Sequence, residues 1–324
     1  MKNTDNDRAD DKLRIGISAC LLGHPVRYDG GHKHDRFLTD TLGRYVEYVP
    51  VCPEVECGLG VPREAMRLIG SPDKPRLITI KTRQDITPRM TAWAGKRLRE
   101  LEAEGLCGFI FKSKSPSSGM ERVKVYGENG VPSGSAAGIF ARAFMDYFPL
   151  IPCEEEGRLH DPALRENFVE RIFTARRWRR AVNEQNRLRA VVDFHTRNKY
   201  LLMSHSTKHL SEMGRIVAEG KKTAIRDVVA FYQALLMEAL ALKATSRKHA
   251  NVLMHMLGYF KKELNAAEKQ EMLAVIDEYR REWIPLIVPV TLMNHYIQKY
   301  GQAYLKEQTY LNPHPAELRL RNHV

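Results

Sequence analysis

All five cysteines of this 324-residue chain, Cys20, Cys52, Cys57, Cys107 and Cys153, fall in its first half. An odd number of thiols gathered in one region does not read as a disulfide framework. It points to thiol chemistry confined to one domain, with buried free thiol as the ordinary packing use of the rest. Cys107 and Cys153 are assigned to that packing use. Soft thiolates are the preferred ligands of iron–sulfur clusters and zinc. With no C-x2-C pair present, a zinc-stabilised fold is disfavoured. Cys52 and Cys57 make a C-x4-C pair, which is weak evidence for a metal by itself.

Three loops carry polar groups that could work beside those thiols. Cys20–Gly31 reads CLLGHPVRYDGG, and its paired glycines permit backbone shapes closed to other residues. There Arg27 and Lys33 could hold a phosphate or a base edge, with Tyr28 and Asp29 between them. Cys52–Arg63 reads CPEVECGLGVPR; Glu54 sits beside the thiol and suits proton transfer. Lys112–Gly119 reads KSKSPSSG, whose Ser115, Ser117 and Ser118 hydroxyls could take a phosphate or a carbonyl oxygen. Each loop alone also reads as a plain turn. Together they say more, because each follows a segment that reads as a strand.

Those segments are Leu13–Ala19, Tyr45–Val51 and Gly108–Phe111, with a weaker one at Leu77–Ile80. Between residues 86 and 104, Met90, Trp93, Ala94, Leu98 and Leu101 keep helical spacing, and Gly105 stops that helix. Strands alternating with helices predict an α/β domain with a mostly parallel sheet and flanking helices. In such a sheet the carboxyl ends of the strands share one edge, so the three loops can meet there.

The segment PLIPCEEEGRLHDP marks a boundary, and the expected domains are 13–155 and 162–324. The second is predicted to be all-α. Phe168, Ile172, Ala175 and Trp178 share one helical face, and Leu292–Tyr300 resumes the pattern after breaks at Pro285 and Pro289. The tail LNPHPAELRLRNHV reads as extended and basic. Residues 161–324 hold 27 Lys and Arg against 17 Asp and Glu, while residues 1–160 hold 24 against 22. A basic half beside a near-neutral one suggests a polyanionic partner. Candidate contacts to that polyanion, which the resemblance below implies to be RNA, are Arg176, Arg177, Arg179 and Arg180 on one helix, and Arg197 and Lys199 on the next segment. The histidines of this half, His195, His205, His209, His249, His255 and His295, are read as core or RNA-facing residues rather than metal ligands.

No stretch approaches the roughly 18 apolar residues of a membrane span. The first dozen residues, MKNTDNDRADDK, lack the apolar core of a signal peptide, so a cytoplasmic chain with a frayed N-terminus is expected. No membrane partner is expected.

The motifs ISACLLG-x2-VRYDGGHK, VPVCPEVECGLGVPR and FKSKSPSSGMERVKVY resemble the thiouracil-desulfidase family over roughly residues 13–153. DFHTRNKYLLMSHS, NVLMHMLGYFK and YRREWIPLIVPVTLMNHY resemble the helical YbgA-type domain. The fusion resembles bacterial enzymes that remove sulfur from 4-thiouridine in tRNA. The resemblance implies a [4Fe–4S] cluster held by three cysteines, with one iron free of protein ligands. Two of those positions are Cys20 and Cys52. The third falls in an SPSCG loop of the family, where this chain has SPSSG and Ser118. Three outcomes stay open: a weak or missing cluster, ligation through the Ser118 oxygen, or substitution by Cys57 or Cys107. The first is favoured, since a hydroxyl is a harder ligand than a thiolate and Cys107 precedes its strand, at the wrong edge.

The resemblance also implies a non-redox mechanism. The open iron binds the thiocarbonyl sulfur as a Lewis acid, Glu54 activates water as general base, and Ser115 orients substrate or water. Arg27, Tyr28, Asp29, Lys33 and Ser117 are the expected substrate contacts. The competing expectation is a non-catalytic RNA-binding or redox-sensing iron–sulfur protein.

Overall fold

The computed structural model describes residues 13–127 and 129–323; the expected frayed N-terminal dozen lies outside the described residues. The chain divides into two units between His160 and Asp161.

In the first unit, strands β1 (Arg14–Ser18) and β2 (Glu47–Val51) lead to a single helical turn, α1 (Pro53–Glu56). Next come the hairpin β3 (Met66–Ser71) and β4 (Lys74–Thr79), helix α2 (Thr87–Ala103) and strand β5 (Gly108–Phe111). Strands β6 (Val123–Tyr126) and β7 (Pro132–Ala136), helix α3 (Ile139–Tyr147) and strand β8 (Cys153–Glu155) complete it. Sheet order β2-β1-β5-β8 is parallel throughout, as the strand–helix alternation predicts. Strands β1 and β5 take the centre because they are continuous apolar runs: Ile15, Ile17, Phe109, Ile110 and Phe111 are each 0% exposed. Helix α2 buries Met90, Ala94, Leu98 and Leu101. Phe140 and Phe144 of α3 pack on Phe109 and Phe111. Each such ring stabilises the unit by about 1.5–3 kcal/mol.

The weak strand expected at Leu77–Ile80 is β4, but it belongs to a second sheet, order β4-β3-β6-β7. Only the β3–β6 pair in it is parallel. Alternation explains the separation. Val123 and Val125 of β6 are buried while Lys124 is exposed, the mark of a sheet with one wet face.

The second unit is helical: α4 (Pro162–Val182), α5 (Arg187–His205), α6 (Thr207–Glu219), α7 (Ile225–Ala241), α8 (Ser246–Leu257), α9 (Ala266–Arg280) and α10 (Ile287–Lys299). Its starts carry chemical caps. Asp161 accepts from Leu164 N–H ahead of Pro162 at the first turn of α4, and Asn265 with Glu268 closes a capping box on α9. Trp178 stacks on Tyr232 at 4.7 Å and meets Phe194 edge-on. Pro289, expected to break the pattern, sits in the first turn of α10, where a missing N–H costs nothing. The tail expected to be extended is instead packed: Leu311, Leu318, Leu320 and Arg321 are buried. No single helix among the described residues is long and apolar enough to cross a membrane.

Candidate active site

Strands β1, β2 and β5 lie side by side with Ser18 opposite Val51 and Ile17 opposite Ile110. Their exits therefore open on one edge, and Lys112 N–H fastens to Ser18 Oγ at 2.9 Å. After β1 the chain turns through Ala19–Leu22, and the Cys20 carbonyl accepts from Gly23 and Lys33 N–H. After β2, Cys52 caps α1, and its N–H donates to Glu56 Oε1 at 2.7 Å.

The three loops enclose a cavity of about 410 Å³. Cys20, Cys52 and Ser118 line it, with Glu54, Ser115 and Ser117. Arg27, Tyr28 and Lys33 line it as well. Asp29 does not. Its carboxylate turns to Gly31 N–H at 3.0 Å and to Arg27 Nε at 3.6 Å. The Gly31 N–H, seconded by Arg27, holds that carboxyl below the usual range.

Glu54 is held from two sides. Arg63 donates Nε to Glu54 Oε2 at 2.9 Å and places Nη2 on the same oxygen. Ser117 Oγ donates to Glu54 Oε1 at 2.8 Å. Ser115 Oγ lies 3.0 Å from Ser117 Oγ and accepts from Ser118 N–H at 3.2 Å. Arg63 Nη2 also donates to Val26 O at 2.9 Å, tying the first loop to the second. Nothing in the sequence marks Arg63 for a role, because its partner lies nine residues back across a folded turn. The same holds for Lys112, which pairs with the Glu156 carboxylate and donates to Ser113 O at 3.0 Å.

Burial raises both thiols. Cys20 is pushed up to about 11, against the pull of the Lys112 ammonium, and Cys52 is also raised. At neutral pH both are protonated until a metal displaces the proton.

Neither alternative cysteine reaches the cavity. Cys57 Sγ turns to Glu54 O at 3.4 Å and packs with Leu68, Leu77 and Met90. Cys107 is buried just ahead of β5, at the opposite strand end. The donors left at the cavity are Cys20, Cys52 and Ser118, whose residue is 4% exposed. The two thiols suit an iron–sulfur cluster and the Ser118 hydroxyl, a harder donor, suits it less; Lys112, beside Cys20, is paired with Glu156.

In the helical unit, Arg177, Arg180 and Arg197 line one groove together with Glu184, Asp193 and Glu307. Arg177 is also engaged with Pro313 O at 2.7 Å and Thr174 Oγ1 at 2.7 Å. Arg176, Arg179 and Lys199 lie outside that groove. Lys199 Nζ sits 5.8 Å from the centre of the Tyr200 ring.

The α/β unit matches the family model described as 2-thiouracil desulfurase over residues 15–156. The solved structure of the [4Fe–4S]-dependent thiouracil desulfidase TudS is 32% identical, covers 48% of this chain and 98% of its own, and superposes with a TM-score of 0.39. Residues 199–315 match the protein of unknown function family DUF1722. The uncharacterized protein YbgA of Escherichia coli (strain K12) is 33% identical over 150 residues, which are 44% of this chain and 89% of YbgA. The chain belongs to the YbgA family.

Proposed function

We propose that this protein is an iron–sulfur desulfidase that removes sulfur from 4-thiouridine in tRNA to give uridine. One observation carries the reading: two thiols, a buried hydroxyl and the doubly held carboxylate of Glu54 share a single cavity. The match to the 2-thiouracil desulfurase model supports a thiocarbonyl pyrimidine as substrate. The surplus of Lys and Arg in residues 161–324 supports RNA as its carrier.

Cys20, Cys52 and Ser118 would hold a [4Fe–4S] cluster, which when bound supplies a Lewis-acidic iron for a thiocarbonyl sulfur. Glu54 accepts a proton from water through whichever oxygen its partners release. Arg63 and Ser117 set the direction of that carboxylate. Ser115, one hydroxyl further on, orients water or substrate. Tyr28, 43% exposed, offers a face for a pyrimidine turned out of its stack, and Arg27 and Lys33 offer charge for its phosphates. Water supplies the oxygen, the carbon–sulfur bond breaks, and the sulfur leaves at the sulfide level with the two protons of that water, so there is no net change in oxidation state.

Ser118 is the observation that favours a second reading, a non-catalytic RNA-binding or redox-sensing protein whose cluster is loosely held. Anaerobic reconstitution followed by incubation with thiolated tRNA separates the two. About four irons per chain with loss of the thiouridine absorbance supports the desulfidase. A cluster that leaves the absorbance unchanged supports the second reading. Ser118→Cys should raise cluster occupancy, and Cys52→Ala should abolish turnover; retained turnover would sink the cluster assignment.

A further inference from the structure

The helical unit buries a second group of titratable side chains, unconnected with the desulfidase reading. Glu166 and Glu170 lie one turn apart on α4, so their side chains share a face. The Glu170 side chain is 2% exposed and that of Glu166 12%. Arg321, 4% exposed, comes from the packed tail and reaches both carboxylates. Its Nη2 lies 3.0 Å from Glu170 Oε1 and its Nε 3.3 Å from Glu166 Oε1. Its Nη1 donates to Tyr310 O at 2.6 Å. One guanidinium thus faces two carboxylates where buried charge is costly, and burial beside Glu170 pushes the Glu166 carboxyl up to about 8, which leaves the charge on Glu170.

Two imidazoles are aimed at that charge. His205 is 0% exposed, and its Nδ1 lies 2.6 Å from Leu242 O. A carbonyl only accepts, so Nδ1 carries the hydrogen. In the neutral ring Nε2 then presents a lone pair 3.3 Å from Glu170 Oε2, a contact that is an ion pair only when Nε2 carries a proton. Two acceptors facing each other repel unless a cation joins them. His314, half-buried on the tail, repeats the arrangement: Nδ1 is 3.3 Å from Pro315 O, and Nε2 is cut off from solvent without a hydrogen-bond partner. One nitrogen donating to a backbone carbonyl and the other left open is how a metal-binding histidine is oriented. Glu166, Glu170 and His314 each bring a ligand atom to within 4.8 Å of the others.

We infer that Glu166, Glu170 and His314, with His205 beside them, form a binding site for one divalent transition-metal ion. Two carboxylates with imidazole suit manganese, ferrous iron or zinc. Arg321 engages one oxygen of each carboxylate; the second oxygens face imidazoles, His323 Nε2 at 3.5 Å from Glu166 Oε2 and His205 Nε2 at 3.3 Å from Glu170 Oε2, and the ion would take the place of those contacts. A cavity of about 330 Å³ lined by Glu166, Glu170 and His205 provides the approach. Bound there, the ion ties the tail to α4 through His314.

The test uses the full chain without reconstituted cluster, stripped with chelator and titrated with Mn2+ under electron paramagnetic resonance. Mn2+ is taken poorly by thiols, so Cys20 and Cys52 do not compete for it. One Mn2+ per chain is expected, displaced by Zn2+. Glu166→Gln and His314→Gln should each weaken binding by roughly 10–100-fold or more. If Glu166→Gln unfolds in a circular-dichroism melt, His314→Gln decides alone, since that residue lies on the tail and outside the helices. No saturable Mn2+ binding, or binding unchanged in His314→Gln, overturns the inference. So does an imidazolium signal from His205 in a chain that takes no Mn2+, which would assign the missing positive charge to a proton.

Discussion

Adding one methyl group behind the serine loop should disable the site without touching any polar residue. Gly138 precedes α3, and the first turn of that helix grips the loop. Gly138 N–H donates to Gly119 O at 2.8 Å, Ile139 N–H to Pro116 O at 3.2 Å and Phe140 N–H to Ser117 O at 2.9 Å. A Cβ on residue 138 would stand 2.6 Å from Ser117 C and 2.8 Å from Ser118 N, against the 3.4 Å where ordinary contact begins. The φ of Gly138 is −63°, so the conflict is purely steric. Helix α3 has nowhere to go, because Phe140 and Ala141 are each 0% exposed against the aromatic core. The loop must give by about 0.8 Å, the gap between those distances. That takes the 2.8 Å bond from Ser117 Oγ to Glu54 toward about 3.6 Å, where it no longer counts as one. Misplacement on this scale costs about 100-fold in kcat, and the overpacking destabilises by about 1–3 kcal/mol. The assay is loss of thiopyrimidine absorbance by the reconstituted Gly138→Ala chain, with a thermal melt alongside. Gly95→Ala is the control. Nothing lies within 4 Å of its added Cβ in the interior of α2, so stability should rise by up to about 1 kcal/mol. Wild-type kcat and melting in Gly138→Ala would refute the argument that α3 positions the loop.

Three further outcomes are expected. With Cys20 pushed up to about 11, iodoacetamide should label it slowly at neutral pH in the metal-free chain. Its rate should climb about tenfold per pH unit up to that value; rapid labelling at neutral pH, read by peptide mass, would contradict the burial argument. Burial lowers His249 to about 3, so the unfolded chain takes up that proton first. Stability should then fall by about 1.4 kcal/mol per pH unit from about 6.5 downward. Denaturant melts of His249→Leu should show that slope reduced, and an equal slope would assign the loss elsewhere. Replacing both Arg197 and Lys199 by Ala should weaken tRNA binding and flatten its dependence on salt, by about one unit of slope for each phosphate no longer neutralised. An unchanged slope would remove them from the RNA surface.

How much of this was legible in the sequence depends on how far apart the cooperating residues stand. The three loops were readable because each follows a short apolar strand, and parallel strands deliver their exits to one edge whatever the intervening length. Cys20, Cys52, Glu54 and Ser118 could therefore be grouped before any coordinates. Whether Cys57 could join them was not readable, since a C-x4-C spacing fits a ligand pair as well as a core thiol. Its orientation is set by the packing of Leu68 and Leu77 on the second sheet, a sheet whose half-exposed strands leave only weak alternation. Arg63 and Lys112 looked like loop charges because their roles exist only once Glu54 and Glu156 are brought beside them. The tail misled for the same reason. LNPHPAELRLRNHV has the composition of an extended basic segment, yet Arg321 is buried by a carboxylate 151 residues away. Local composition carries no trace of such a partner. Where a charged side chain is fixed by a contact that distant, its burial can be seen only in the folded chain, and that is where the Glu166–Glu170–His314 cluster was found.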